Sequence, residues 1–192
     1  MKISDMTQQV VAQTTFVIVD LETTGGRPND AGITEIGAIK VQAGVVLAEF
    51  QTLCDSGMEI PYFISQLTGL YAHHLDGAPS VSDAIASFFS FAAFETTSNV
   101  VLVAHNAPFD VSFLRSACLK HDVTWPAPLI LDTVSLARKV LLKGEVVNRK
   151  LGTLAEYFQV PVQPTHRALD DARATNFVLQ ALIQRNFELL AS

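Results

Sequence analysis

The apolar positions change period along the chain, and the changes mark its elements. Thr15–Leu21 (TFVIVDL) is a short β-branched apolar run ending at the turn signal Thr24-Gly25-Gly26, which predicts a buried strand. Ile33–Gln42 and Val45–Leu53 predict two more strands. Ala43-Gly44 between them suits a hairpin, so the first three strands make an antiparallel unit. Ser80 offers an N-cap for an apolar helix over Val81–Phe94, with Asp83 completing the capping arrangement. Val100–Ala104 is a continuous apolar strand that runs at once into a helix over Pro108–Lys120, where Pro108 suits the first turn. Helical periodicity then covers Thr133–Leu142, Leu151–Phe158 and Leu169–Leu190, with Pro161 and Pro164 punctuating the loop before the last of these. The fold class is α/β: a mixed central sheet, three antiparallel strands first, flanked by helices.

At 192 residues one core suffices, so a flexible N-terminal tail over 1–13 and a single domain over 14–192 are expected. The apolar fraction of 49% against 17% charged describes a packed domain and excludes a disordered chain. No run approaches the roughly 18 apolar residues of a membrane span, and Met1–Gln13 lacks the apolar stretch of a secretory signal; a cytoplasmic location follows. Cys54 and Cys118 are isolated in apolar surroundings, as buried free thiols rather than a disulfide or zinc site.

Chemistry enters with the acidic residues. Asp20 and Glu22 stand two apart at the end of an apolar strand, so both carboxylates face the same way. Two like charges partly desolvated at short range repel unless a cation or a shared proton compensates them, and an oxygen-only donor set suits Mg²⁺ or Mn²⁺ better than zinc. A strand end pointing into water is the competing reading of this pair alone. Asp110 sits in His105-Asn106-Ala107-Pro108-Phe109-Asp110, inside a first helical turn where a carboxylate also serves the helix dipole. Asn106 and an exposed Phe109 there supply an amide and an aromatic that could hold or stack a base. In Pro164–Arg173 a loop histidine, His166, precedes Asp170 and Asp171 at the opening of the last helix. Capping explains one aspartate but not the pairing of His166 with Asp171, and histidine is the side chain best suited to take a proton near neutral pH. His105 reads as a structural hydrogen-bonding residue, His73, His74 and His121 as surface or turn residues. Phe88, Phe89, Phe91 and Phe94 read as helix core.

These segments together resemble the DEDDh 3′→5′ exonucleases, the family of bacterial polymerase proofreading subunits, whose fold is similar to ribonuclease H. The motifs are Val19-Asp20-Leu21-Glu22-Thr23-Thr24-Gly25, His105 through Asp110, and His166 through Asp171, in order over most of the chain. Pro61, Ile64 and Leu67-Thr68-Gly69-Leu70 look like the family's segment against the terminal nucleotide. A histidine five residues before Asp171 fits this branch; the sister branch has a tyrosine four before. The resemblance implies that Asp20, Glu22, Asp110 and Asp171 hold two Mg²⁺ or Mn²⁺ ions, with Glu22 also near the terminal 3′-hydroxyl. It implies that His166 accepts the proton of the attacking water, that Leu21, Thr23, Thr24, Leu67, Asn106 and Phe109 contact the substrate, and that nucleoside 5′-monophosphates are released. Of the adjacent aspartates, spacing selects Asp171, since consecutive helical residues point about 100° apart.

The formal charge of −6 argues at first against a nucleic-acid partner. Four site carboxylates compensated by two divalent ions remove that objection. Seven of the 13 basic residues (Arg138, Lys139, Lys143, Arg149, Lys150, Arg167, Arg173) also fall within 138–173, as a local basic rim or as an ordinary solvated helix face. The expected partner is a single-stranded or frayed 3′ end of DNA, with an RNA-trimming enzyme and a non-catalytic strand-end-binding module as the rival readings. A polymerase or a fused endonuclease domain are the protein partners the resemblance suggests. The chain ends soon after its last helix, without the polymerase-binding extension common on proofreading subunits, which weighs against a tight polymerase partnership.

Overall fold

The computed structural model describes residues 7–94 and 99–191. Five strands, β1 (Thr15–Thr23), β2 (Ile33–Gln42), β3 (Val45–Leu53), β4 (Val100–Ala104) and β5 (Leu129–Asp132), form one sheet in the order β3-β2-β1-β4-β5. The first three pair antiparallel; β4 and β5 run parallel to β1. The β2–β3 turn is Ala43-Gly44, both at positive φ, the two-residue geometry whose twist matches the strands.

Seven α-helices and a 3₁₀ turn (Ala72–Leu75) accompany the sheet among the described residues: α1 (Gln8–Gln13), α2 (Tyr62–Thr68), α3 (Val81–Ala92), α4 (Ala107–Lys120), α5 (Thr133–Val140), α6 (Leu151–Tyr157) and α7 (Ala168–Ala191). The period of two along β1 sorts them onto two faces. Val17, Val19 and Leu21 pack with Ile85 and Phe88 of α3 and with Phe113 and Leu114 of α4. Phe16 and Ile18 pack on the opposite face, with α5, α6 and Val178, Leu179 and Leu182 of α7. Phe88 is fully buried and Phe89, Phe91 and Phe94 pack beside it, so the phenylalanine-rich helix is core. Cys54 and Cys118 are buried free thiols; burial pushes the Cys54 thiol up to about 12.

Three expectations need correction. Residues 8–13 are helical rather than a loose tail, because Thr7 caps the turn through the Val10 N–H and Val11 packs against the α7-side core; residues 1–6 of that tail lie outside the described residues. β5 was not expected: four residues just after Pro126 and Pro128 are too short to show alternation, and parallel pairing with β4 makes the strand. The seven-residue α2 was likewise unmarked. Pro61 precedes it and Gly69, at φ 71°, ends it.

Candidate active site

β1 outruns its parallel partner. Its pairing with β4 stops at Ile18↔Val103, while the pairing with β2 continues to Thr23. The β4-side edge of β1 beyond Ile18 is therefore open to α4, where the buried Asp110 carboxylate accepts the Leu21 backbone N–H. The parity that sends Phe16 and Ile18 toward α7 sends Asp20 and Glu22 the same way, and α7 opens there with Asp171. Carboxylate oxygens of Asp20, Glu22 and Asp171 lie within 4.8 Å of one another. Asp110 falls outside that trio, but of the neighbouring charges its own raises Asp20 most.

The electrostatics follow from crowding. Burial, then the charges of Asp110, Asp171, Glu22 and Glu35, hold the Asp20 carboxyl well above its ordinary range. Burial and the neighbouring Asp171 and Glu35 raise Glu22 to about 8, with Arg167 opposing them. Burial lifts Asp110 to about 8 as well, and Asp171 is raised chiefly by burial. A set of carboxylates that resists ionising without a counter-charge, presenting oxygen donors at this spacing, has the chemistry of a hard divalent cation site.

Asp171 is held by the loop before its own helix: the Thr165 and His166 backbone N–H groups donate to its Oδ1 at 2.8 and 3.2 Å. His166 adopts φ 59°, and its ring is exposed. Asp170 faces elsewhere, accepting from Thr165 Oγ1 at 3.1 Å and Arg173 Nη1 at 2.9 Å. At the second motif Asn106 takes a left-handed conformation (φ 66°) that starts α4. Its backbone N–H and that of Ala107 donate to Asp132 Oδ1 at 3.0 and 3.1 Å. Asp132 also caps α5 through Val134 and Ser135, so one carboxylate ties two helix starts together. His105 is structural, its Nε2–H donating to the Arg149 carbonyl and its Nδ1 accepting from Thr133, and burial lowers its pKa.

The proposed substrate contacts divide. Leu67 is 50% exposed on α2, beside exposed Tyr62 and Phe63, and the Asn106 side chain is exposed. Phe109 is half-buried rather than exposed, its ring 4.9 Å from Phe113, because its position on α4 faces the core. Leu21 is a core side chain, and the Thr23 and Thr24 hydroxyls are committed within the 23–32 turn, to the Gly25 carbonyl and the Gly32 N–H. What β1 offers a ligand there is main chain. The basic rim narrows too: Arg167 pairs with Glu35, and Arg173 with Glu49 and Asp170.

Residues 17–179 match the exonuclease family model RNase_T. The chain belongs to this exonuclease family. A Mycobacterium tuberculosis protein named as a bifunctional exonuclease/endonuclease is 51% identical to this chain over 179 residues, 90% of this chain and 27% of that one. The DNA polymerase III PolC-type of Clostridium perfringens is 36% identical over 165 residues, 86% of this chain and 11% of that one. The chain thus spans about a quarter and about a ninth of these two relatives. Among solved structures, E. coli exonuclease I in complex with a dT13 oligonucleotide superposes with TM-score 0.77 at 18% identity, covering 93% of this chain and 43% of that one. Exonuclease X in complex with 5′ overhanging duplex DNA gives 0.67 at 21%, covering 88% and 91%. The fold is therefore the ribonuclease H-like one expected from the sequence, and the family is one of exonucleases.

Two participants escaped the sequence reading, Glu35 and Asp132. A glutamate two residues before a glycine inside the apolar run Ile33–Ile39 was the signal for the first. The second is a plain cap residue whose long-range partners only the fold reveals.

Proposed function

We propose that residues 14–192 form a single exonuclease domain that removes nucleotides from the 3′ end of single-stranded or frayed DNA, releasing nucleoside 5′-monophosphates. The observation that carries this reading is the meeting of Asp20, Glu22 and Asp171 within 4.8 Å, with Asp110 bonded to the Leu21 N–H between Asp20 and Glu22 and the His166 loop bonded to Asp171. Asp20, Glu22, Asp110 and Asp171 would hold two Mg²⁺ or Mn²⁺ ions, which supply charge stabilisation to the attacking and leaving oxygens of the displacement. His166, on an exposed loop with its own amide and that of Thr165 tied to Asp171, accepts the proton of the attacking water. Glu22 lies near the terminal 3′-hydroxyl. The main chain of Leu21–Thr24, the Asn106 amide, Phe109 and Leu67 hold the last nucleotide, and Tyr62 and Phe63 offer aromatic faces on which further bases stack.

DNA as substrate draws support from the DNA-bound neighbours, and a polymerase or a fused endonuclease domain as partner from the two relatives, each of which carries the matching region within a longer chain. Among the described residues no helix is long and apolar enough to cross a membrane. The buried free thiols accord with a reducing, cytoplasmic setting.

The test is release of 5′-monophosphates from 3′-labelled single-stranded DNA and its RNA counterpart, with Mg²⁺, Mn²⁺ or chelator. Shortening that needs metal and disappears in Asp171→Asn is expected, faster on DNA. Faster shortening of RNA would assign the RNA-trimming activity instead, and no shortening of either polymer by folded, metal-supplied protein would leave a strand-end-binding module.

A further inference from the structure

Glu35 lies directly opposite Glu22 in the β1–β2 register and on the same face of the sheet, yet it does not join the carboxylate trio. Its side chain is fully buried, and its two oxygens take four N–H donors. Oε1 accepts from Gln51 Nε2 at 2.7 Å and Arg167 Nη2 at 2.9 Å; Oε2 accepts from Arg167 Nε at 3.0 Å and the Ala168 backbone N–H at 3.2 Å. With four N–H donors on two oxygens, the carboxylate is fully engaged and unsuited to ligating a cation. What it holds is the segment immediately after His166. Arg167 grips it bidentately, the geometry that fixes direction as well as distance, and Ala168 opens α7.

A second observation points the same way. Gly37, the next residue of β2 on this face, has no Cβ, and one placed there would lie 2.1 Å from the Leu169 nitrogen and 2.2 Å from the Ala168 carbonyl carbon. The first turn of α7 therefore rests on bare β2 backbone. On β3, Gln51 braces Glu35 and Glu49 takes Arg173 at 2.6 Å, one turn further along α7. The carboxylates of β1 and the His166 loop belong to segments distant in sequence, and this polar strip fixes one against the other.

We propose that Glu35, acting through Arg167 and over Gly37, is a positioning residue for the exonuclease reaction: it sets His166 and the start of α7 against the β1 carboxylates. The inference rests on the catalytic reading of His166 given above. A buried ion pair is a poor source of net stability once its desolvation is counted. Its value lies in geometry, and His166 at φ 59° needs a rigid neighbour to hold that conformation.

The experiment compares Glu35→Gln, Arg167→Ala and the double variant Glu35→Gln/Arg167→Ala, which leaves no unpaired buried charge, each alone and combined with His166→Ala. On 3′-labelled single-stranded DNA with Mn²⁺, each should lower kcat by about 10- to 100-fold with KM within about threefold, and add less than about threefold to the loss already caused by His166→Ala. Hydrogen exchange of the Thr165 and His166 amides should quicken while the β1–β2 ladder keeps its protection. Full activity, unchanged exchange at 165–166, or losses that multiply in the His166→Ala background would overturn the proposal. Should either single variant not fold, the double variant decides, since it leaves no buried charge unpaired and the Arg167 side chain, 39% exposed, is removable without opening the core. If wild type releases no nucleotide, the catalytic reading fails, and the exchange measurement still decides whether the strip positions the loop.

Discussion

At position 166 the chain passes through φ 59° with a histidine, a conformation that costs a side-chain-bearing residue of the order of 1 kcal/mol, and two amide hydrogen bonds to Asp171 hold it there. The backbone is thus anchored and the ring left exposed, the disposition a proton acceptor needs. His166→Ala should reduce kcat by about 10²- to 10⁴-fold while single-stranded DNA affinity stays within about threefold, because the ring acts on water and not on the strand. Equal losses in turnover and in filter binding would remove that role. The neighbouring aspartates make the complementary case. Asp170 spends its oxygens on Thr165 and Arg173, whereas Asp171 stands in the carboxylate trio. Asp170→Asn should keep activity within about fivefold and Asp171→Asn lose it by about a thousandfold or more, a contrast that assays of both variants at saturating metal would check. The placement of Asp20 and Glu22 on one face was legible in their spacing, since a strand has a fixed period. The use of the Thr23 and Thr24 hydroxyls was not, because a threonine near a strand end looks the same whether its hydroxyl meets a ligand or closes a turn on Gly25 and Gly32.

Among the elements, those with a long period were legible and those made by pairing were not. β1 to β4 and α3 to α7 follow from runs of five residues or more with caps or turn signals at their ends, and their bounds shift by only a residue or two. β5 has four residues and no alternation of its own; only the ladder with β4 makes it a strand. The role of Glu35 is illegible for a related reason: a strand's pattern reports which face a residue takes, not which distant donors await it. Asp132 shows the energetic side of such long-range work. Its Oδ1 accepts from Asn106, Ala107 and Val134, and its Oδ2 from Ser135, so removing it orphans the starts of both α4 and α5. Asp132→Ala should lower unfolding free energy by about 1–3 kcal/mol, more than loss of an ordinary cap, as measured by urea denaturation. A change below about 0.5 kcal/mol would mean that water replaces the carboxylate at both helix starts.

Across the whole molecule, the site works against the fold that carries it. Glu22 and Asp110, raised to about 8, keep a proton in the folded protein that an unfolded carboxyl, with a pKa near 4, has already released. Between about pH 4 and pH 8 the folded state therefore binds more protons than the unfolded one, and the contribution of these groups to stability falls as pH rises. It is fully present below the unfolded value and is lost on passing through the folded value, the reverse of a salt-bridged carboxylate. Divalent cations oppose the loss, because they bind the ionised carboxylates of the folded state and stabilise it by mass action. In chelator, Glu22→Gln should therefore melt higher than wild type at pH 8 and close to wild type at pH 5, since a neutral amide carries no charge to repel Asp171. With millimolar Mn²⁺ the order at pH 8 should reverse, wild type gaining more than a variant short of one ligand. Thermal melts at the two pH values, with and without metal, read all four conditions. A variant that melts below wild type at pH 8 in chelator would show that Glu22 stabilises the metal-free fold and that the carboxylates are not in conflict. The expected order would instead make the cluster a site whose placement costs the fold stability that the cation restores, as a functional rather than a structural constellation does.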